Sequence, residues 1–292
     1  MAQRSKNPTW IEVALNGGGP LHVQPRIPVR PKDIVADAIA CAKAGAAVIH
    51  LHARDERTGE QVDDVESYAH IIEAIRSQVD AIIYPTVPLA GAPELRFRTC
   101  EALARRGLLE WSVVEPGSVL FATDTGVAGG ENGWIYENTG AHVRTAMTLA
   151  AEHGLAPTYS IYELGFVRLA RAAARLFPAL LSGVYRFMLS DAFTFGLRPN
   201  ERALETYAAA LHAEAPGAEW MMAGLLFDPR TLLSAAIELG GHVRIGLEDA
   251  PAHSSLSNAQ WVELAVQVAL RHGPIATAAH IRSQVGGKRS GA

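Results

Sequence analysis

The stretch Ala47-Val48-Ile49-His50-Leu51-His52-Ala53-Arg54-Asp55 decides how the chain reads. Its apolar, β-branched first half follows a helical pattern that stops at Gly45, which marks a short buried strand. Alternation along a strand sends His50 and His52 to one face and Ile49 and Leu51 to the other. Two imidazoles at i and i+2, at the carboxyl end of a strand, can reach one divalent metal. Two core histidines satisfied by backbone carbonyls are the simpler alternative. A pair on one face of an apolar strand, followed at once by Arg54-Asp55, favours the metal.

Strand and helix patterns alternate on both sides of this stretch. Further strands are expected at 10–16, 81–86, 109–115, 158–162, 184–190, 219–225 and 242–248. Helices are expected from Pro31 to Gly45, at 65–79, 93–107, 141–152, 166–177 and 199–214, from Asp228-Pro229 to Gly240, and at 258–272 and 277–284. The Gly-rich connection from Pro116 to Asn138 exceeds ordinary loop length, which suggests a functional or mobile segment. Eight strand–helix units with no linker and no break in composition predict a single-domain α/β (β/α)8 TIM barrel over 1–292, with a disordered tail from about residue 286. An open doubly wound sheet has no support, because no G-x-G-x-x-G follows any strand.

The composition bounds the partners. The 292 residues are 49% hydrophobic and 19% charged, enough for a sizeable core. A net charge of −4 gives nucleic-acid binding no electrostatic support. Cys41 and Cys100 share no metal spacing and read as packing residues in a reducing compartment. No apolar run approaches the roughly 20 residues that span a bilayer, and residues 1–9 carry no signal-peptide core. A cytoplasmic protein is expected.

In such a barrel chemistry sits at the carboxyl ends of the strands. The final strand, Gly241-His242-Val243-Arg244-Ile245-Gly246-Leu247-Glu248-Asp249, sets Arg244 and Glu248 on the face opposite to Val243, Ile245 and Leu247, and so in the lumen. Strand one neighbours both strand two and strand eight, so Glu248 can approach His50 and His52. Two imidazoles and a carboxylate make a three-ligand zinc site with one position open. A buried Arg244–Glu248 ion pair without metal is the competing reading. Four residues apart on a strand is too far for easy pairing, and burying both charges costs several kcal/mol.

With these motifs in place, the chain resembles the β-keto acid cleavage enzymes, whose type member is 3-keto-5-aminohexanoate cleavage enzyme. The resemblance rests on His50-Leu51-His52-Ala53-Arg54-Asp55, on Ala14-Leu15-Asn16-Gly17-Gly18 and on the strand from Gly240 to Asp249. It implies a (β/α)8 barrel that binds zinc through His50, His52 and Glu248. It also implies reaction of a β-keto acid with acetyl-CoA, giving acetoacetate and a new acyl-CoA, in a homo-oligomer that is a tetramer by this likeness. Arg244 and Asp249 match a catalytic Arg and Asp, Thr86 a residue that helps hold the substrate carboxylate, and Ser112 a Ser or Thr on strand four. A metal-dependent keto-acid aldolase without CoA and a non-catalytic metal-binding barrel are the alternatives.

The departures from the family pattern concern substrate. Gly19 stands where amino-substrate members carry a Glu, Val87-Pro88-Leu89 replaces a Gly-rich turn, Ser160 replaces a Glu, and Met188-Leu189-Ser190-Asp191 lacks a Gly-rich run. An uncharged β-keto acid is therefore expected, with Glu163 or Asp191 as the acid to look for should an ammonium be bound after all. His142, His153, His212 and His272 read as surface histidines on helices. Arg168, Arg171 and Arg175 read as a solvated helix face.

Overall fold

The computed structural model describes residues 7–180 and 182–285. Its eight parallel strands are β1 (Ile11–Ala14), β2 (Val48–Leu51), β3 (Ile82–Pro85), β4 (Trp111–Val114), β5 (Ala156–Ile161), β6 (Val184–Leu189), β7 (Trp220–Gly224) and β8 (His242–Ile245). They form one sheet in the order β3-β2-β1-β8-β7-β6-β5-β4, curled into a nearly closed barrel with helices outside. Tyr84 of β3 and Trp111 of β4 meet across the remaining seam, ring centroids 5.8 Å apart. Every one of these strands is buried along its whole length, because its two faces meet the lumen and the helices. The tail expected from residue 286 lies outside the described residues.

The helices begin where their caps dictate. Pro31 opens Pro31–Ala44, the Asp64 side chain accepts from Ser67 N to start Val65–Arg76, and Ser257 with Gln260 forms a capping box for Asn258–His272. Asn200, not Pro199, caps Glu201–Glu214. The helix expected at 93–107 breaks into Pro93–Arg96 and Arg98–Arg105 around Phe97. Asp228-Pro229 starts only a short 3-10 turn before Leu233–Glu238. Cys41 and Cys100 are buried free thiols, as packing residues should be.

Three local differences shape the site. The connection 116–138 is not a bare loop: Val119–Phe121 pairs antiparallel with Trp134–Tyr136, and Asp124–Ala128 is a short helix between them. His142 is buried rather than on the surface, its ring bonding Thr139 and Gly91 O at the entry to the helix Gly140–His153. The last strand ends at Ile245, well before Glu248. There Gly246, at φ +130°, turns the chain so that Ala250 N bonds Gly246 O at 2.9 Å. The turn folds Glu248 back onto Arg244, with Nη2 2.8 Å from Oε1. The spacing argument against an Arg244–Glu248 pair therefore fails, because the two residues do not lie on one continuous strand.

Gly246 is fixed in this role by sterics as well as by its dihedral. A Cβ there would stand 2.3 Å from Ala14 O. Gly246→Ala should therefore cost about 2–4 kcal/mol, combining left-handed strain with a backbone clash. Chemical denaturation of the variant measures this, and wild-type stability would contradict the turn.

Candidate active site

The polar end of the barrel is built from β1, β2 and β8. Register pairs Ala14 with His50 and Glu12 with Arg244, so these strands carry their polar side chains into neighbouring positions. Asn16 fastens the end of β2: its Oδ1 accepts from His52 N at 2.9 Å and its Nδ2 donates to His52 O at 2.9 Å. Buried Arg54 gathers the glycine loop, donating to the carbonyls of Asn16, Gly17, Gly19 and Gly59. Gly17 must be bare, since a Cβ there would meet Glu248 Cγ at 2.7 Å. Gly17 is thus a space requirement for the carboxylate, while a Cβ at Gly18 would stand 2.6 Å from Gln61 Oε1.

His50, His52 and Glu248 converge as the sequence predicts. Ligand atoms from all three lie within 4.8 Å of one another. The Nε2 atoms of His50 and His52 are 3.2 Å apart, and Glu248 Oε2 stands 3.6 and 3.5 Å from them. Gln61 Oε1 lies 2.8 Å from His52 Nδ1, a contact that fixes a proton on Nδ1 and leaves Nε2 with its lone pair. Arg244 holds Glu248 by Oε1, while Oε2 is buried with no hydrogen-bond partner. An orphaned carboxylate oxygen facing two imidazoles is what a divalent cation would complete, so these residues fit a metal. Burial drives the His50 imidazole well below its ordinary range against the pull of Glu248, which keeps it neutral and available as a ligand. Burial opposes ionisation of Glu248, yet His50, Arg244 and His52 outweigh it and hold the carboxyl well below the usual range.

Arg244 is the hub beneath these ligands. Its Nε and Nη2 donate to the two oxygens of Asp249, each at 2.9 Å, and its Nη1 to Glu12 Oε1 at 3.3 Å. Burial works against the guanidinium, but Asp249 and Glu248 keep it charged, its pKa raised well above normal. Burial lifts the Asp249 carboxyl to about 6 despite Arg244. From Glu12 the network crosses the lumen. Tyr84 donates to Glu12 Oε1 at 2.5 Å and accepts from Arg186 Nη1 at 2.7 Å. Arg186 Nη2 donates to Ser160 Oγ at 2.9 Å, and Ser160 donates to Glu115 Oε1 at 3.0 Å.

A cavity of about 400 Å3 lies over this network, lined by the metal-type residues, Arg244, Arg186, Thr86, Glu115 and a group of aromatic rings. Thr86 reaches it, and Gly19 borders it with open space where a side chain would be. Ser112 does not line the cavity. Its neighbours Trp111 and Val113 take the lumen side, the one against Trp10 and Tyr84 and the other at the cavity wall. Alternation then turns Ser112 to the helices, and the polar side chain that reaches the cavity here is Glu115, just past β4. Glu163 and Asp191 do not line the cavity either; Glu163 is spent on Gly196 N. Glu12, Tyr84, Arg186 and Glu115 escaped the sequence reading, though Glu12 and Arg186 carried a signal as lone charges in apolar strands.

Comparison with known proteins agrees with this geometry. The family model for beta-keto acid cleavage enzyme matches residues 8–286. A 3-oxoadipate:acetyl-CoA acetyltransferase of Cupriavidus necator is 27% identical over 96% of this chain and 95% of its own length. A 3-dehydrocarnitine:acetyl-CoA trimethylamine transferase of Rhizobium meliloti is 27% identical over 89% of both chains. A 3-keto-5-aminohexanoate cleavage enzyme of Fusobacterium nucleatum is 26% identical over 85% of this chain and 86% of its own. Among solved structures, the binary complex of ObcA with oxaloacetate superposes with a TM-score of 0.70 at 19% identity, covering 90% of this chain and 68% of that one, a likeness of fold. Since the family model spans nearly the whole barrel and its strand-two and strand-eight motifs meet at one point, this chain belongs to the β-keto acid cleavage enzymes.

Proposed function

We propose that this chain is a zinc-dependent transferase that exchanges the acyl group of a β-keto acid with acetyl-CoA. The convergence of His50, His52 and Glu248 on one wall of the cavity, with Glu248 Oε2 unpartnered, is the observation that carries the reading. Zinc held there supplies Lewis acidity toward the 3-keto group. Relatives whose names specify acetyl-CoA support the co-substrate. The reading includes a homo-oligomer acting in the cytoplasm, and exposed Leu120 and Ile135, paired on the outer face of the hairpin, offer apolar surface for assembly.

In this reading the chain's own residues position charge and move one proton. Arg244 and Thr86 take the substrate carboxylate at the cavity floor. When the carboxylate claims the Arg244 fork, Asp249, which sits behind that fork and not on the cavity wall, is released as the base for the C2 proton. Its proton affinity rises as the guanidinium that opposes protonation is withdrawn. C2 then bonds to the acetyl carbon as the acetyl–sulfur bond breaks. The CoA thiolate bonds to C3 as the C2–C3 bond breaks, and the proton returns to C2. The products are acetoacetate and the acyl-CoA of the remaining chain, with no water consumed.

Two outcomes are expected. Loss of a β-keto acid should match consumption of acetyl-CoA one for one, stop on chelation and return with zinc. Turnover that persists without acetyl-CoA, or that ignores chelation, would overturn the reading. Arg244→Lys keeps the charge but loses the planar fork, so kcat/KM should fall about a hundredfold or more while the bound zinc, measured by elemental analysis, stays. Near wild-type activity would make Arg244 a purely structural residue.

A further inference from the structure

The cavity has two polar ends, and only one of them belongs to the metal-type residues. In the ring of strands β4 stands opposite β8, so Glu115, just past β4, faces the Glu248 turn across the lumen. Glu115 is only 8% exposed. Its Oε1 accepts from Ser160, whose own oxygen receives the Arg186 N–H, so one oxygen is held by a directed relay. Its Oε2 is buried with no hydrogen-bond partner.

The surroundings of Glu115 are aromatic. Phe121, Trp134, Tyr136, Tyr162 and Phe193 line the same end of the cavity, and Phe121 packs against all four of the others at centroid distances of 4.7 to 6.2 Å. Arg96 braces this wall from behind, donating to Tyr136 OH at 2.5 Å. The rings fix the length and shape of a chain, and the buried acceptor set among them without a partner is Glu115 Oε2. A buried acceptor left open in such a wall rejects a ligand that cannot pair with it more strongly than any apolar contact does.

We propose that Glu115 is a specificity-determining residue that accepts a hydrogen bond from an N–H or O–H group on the far end of the β-keto acid, held between the aromatic rings. This rests on the reading of the cavity as a β-keto acid site. It narrows the expectation of an uncharged chain, aliphatic or modestly polar, which rested on the lack of an acid at position 19. The carboxyl group is present, moved across the barrel to β4. Gly19 leaves space, and Glu115 supplies the recognition.

The test uses the zinc-loaded protein with acetyl-CoA and three β-keto acids of equal length: 3-oxohexanoate, its 5-hydroxy derivative and its 5-amino derivative. Wild type should favour at least one donor-bearing substrate over 3-oxohexanoate tenfold or more in kcat/KM, and the better of the two identifies the donor. Glu115→Leu should reduce that preference to threefold or less. Isosteric Glu115→Gln should remove it for the amino substrate while keeping part of it for the hydroxy one, and it serves if the leucine variant fails to fold. Equal use of all three by wild type, or an unchanged preference in the variants, would overturn the proposal and leave the acyl exchange standing. Turnover of none of them would overturn both.

Discussion

The buried guanidinium of Arg244 is the interaction on which the rest of the site depends. It pairs with Asp249, Glu248 and Glu12 at once, two partners coming from the turn after β8 and one from β1. A cation in the lumen of a barrel is tolerable only with such compensation, and removing one partner of a buried pair typically costs about 3–5 kcal/mol. The Gly246 turn exists to deliver two of these carboxylates, and Gly17 exists to make room for one of them. In occupying Glu248 Oε1, Arg244 leaves Oε2 toward the imidazoles. A structural ion pair and a ligand set are therefore one arrangement, and the two readings of strand eight are not rivals.

The same network joins the two ends of the cavity. From Glu12 it runs through Tyr84, Arg186 and Ser160 to Glu115, each group donating or accepting in turn. Burial raises the Glu115 carboxyl, and Arg186 and Ser160 oppose the rise. Burial likewise pushes the Tyr84 phenol up, so it stays a donor to Glu12 over the working pH range. Each polar side chain of the network finds at least one partner around the barrel. Open buried atoms remain on Glu12 Oε2 and Arg186 Nε within the network and on Glu248 Oε2 and Glu115 Oε2 at its ends. The two end carboxylates both line the cavity, where the chain leaves accepting capacity for something else.

Much of this was legible in the sequence, for reasons of periodicity. Strand alternation put His50 with His52, and strand order put both near Glu248, because barrel neighbours follow from chain order. Strand ends were less legible. Nothing in Ile245-Gly246-Leu247-Glu248 announces that the strand stops and turns, since glycine is compatible with both; only the contact with Ala14 O decides it. Ser112 was misplaced because a strand of four residues leaves its phase to tertiary packing, and Trp111 against Trp10 fixes that phase. His142 was misread because its partner, Gly91, is 51 residues away. Glu115 was passed over because proline follows it and a loop begins there, so its burial arises from the hairpin 119–136 folding over it.

Acyl exchange and simple cleavage differ in where the carbons of the substrate go. A β-keto acid labelled with carbon-13 at C2, turned over with unlabelled acetyl-CoA and followed by NMR, reports this directly. Acyl exchange predicts that the label appears at C2 of acetoacetate while the unlabelled acyl chain appears as its CoA thioester. Label recovered in free acetate, or released without acetyl-CoA, would contradict it.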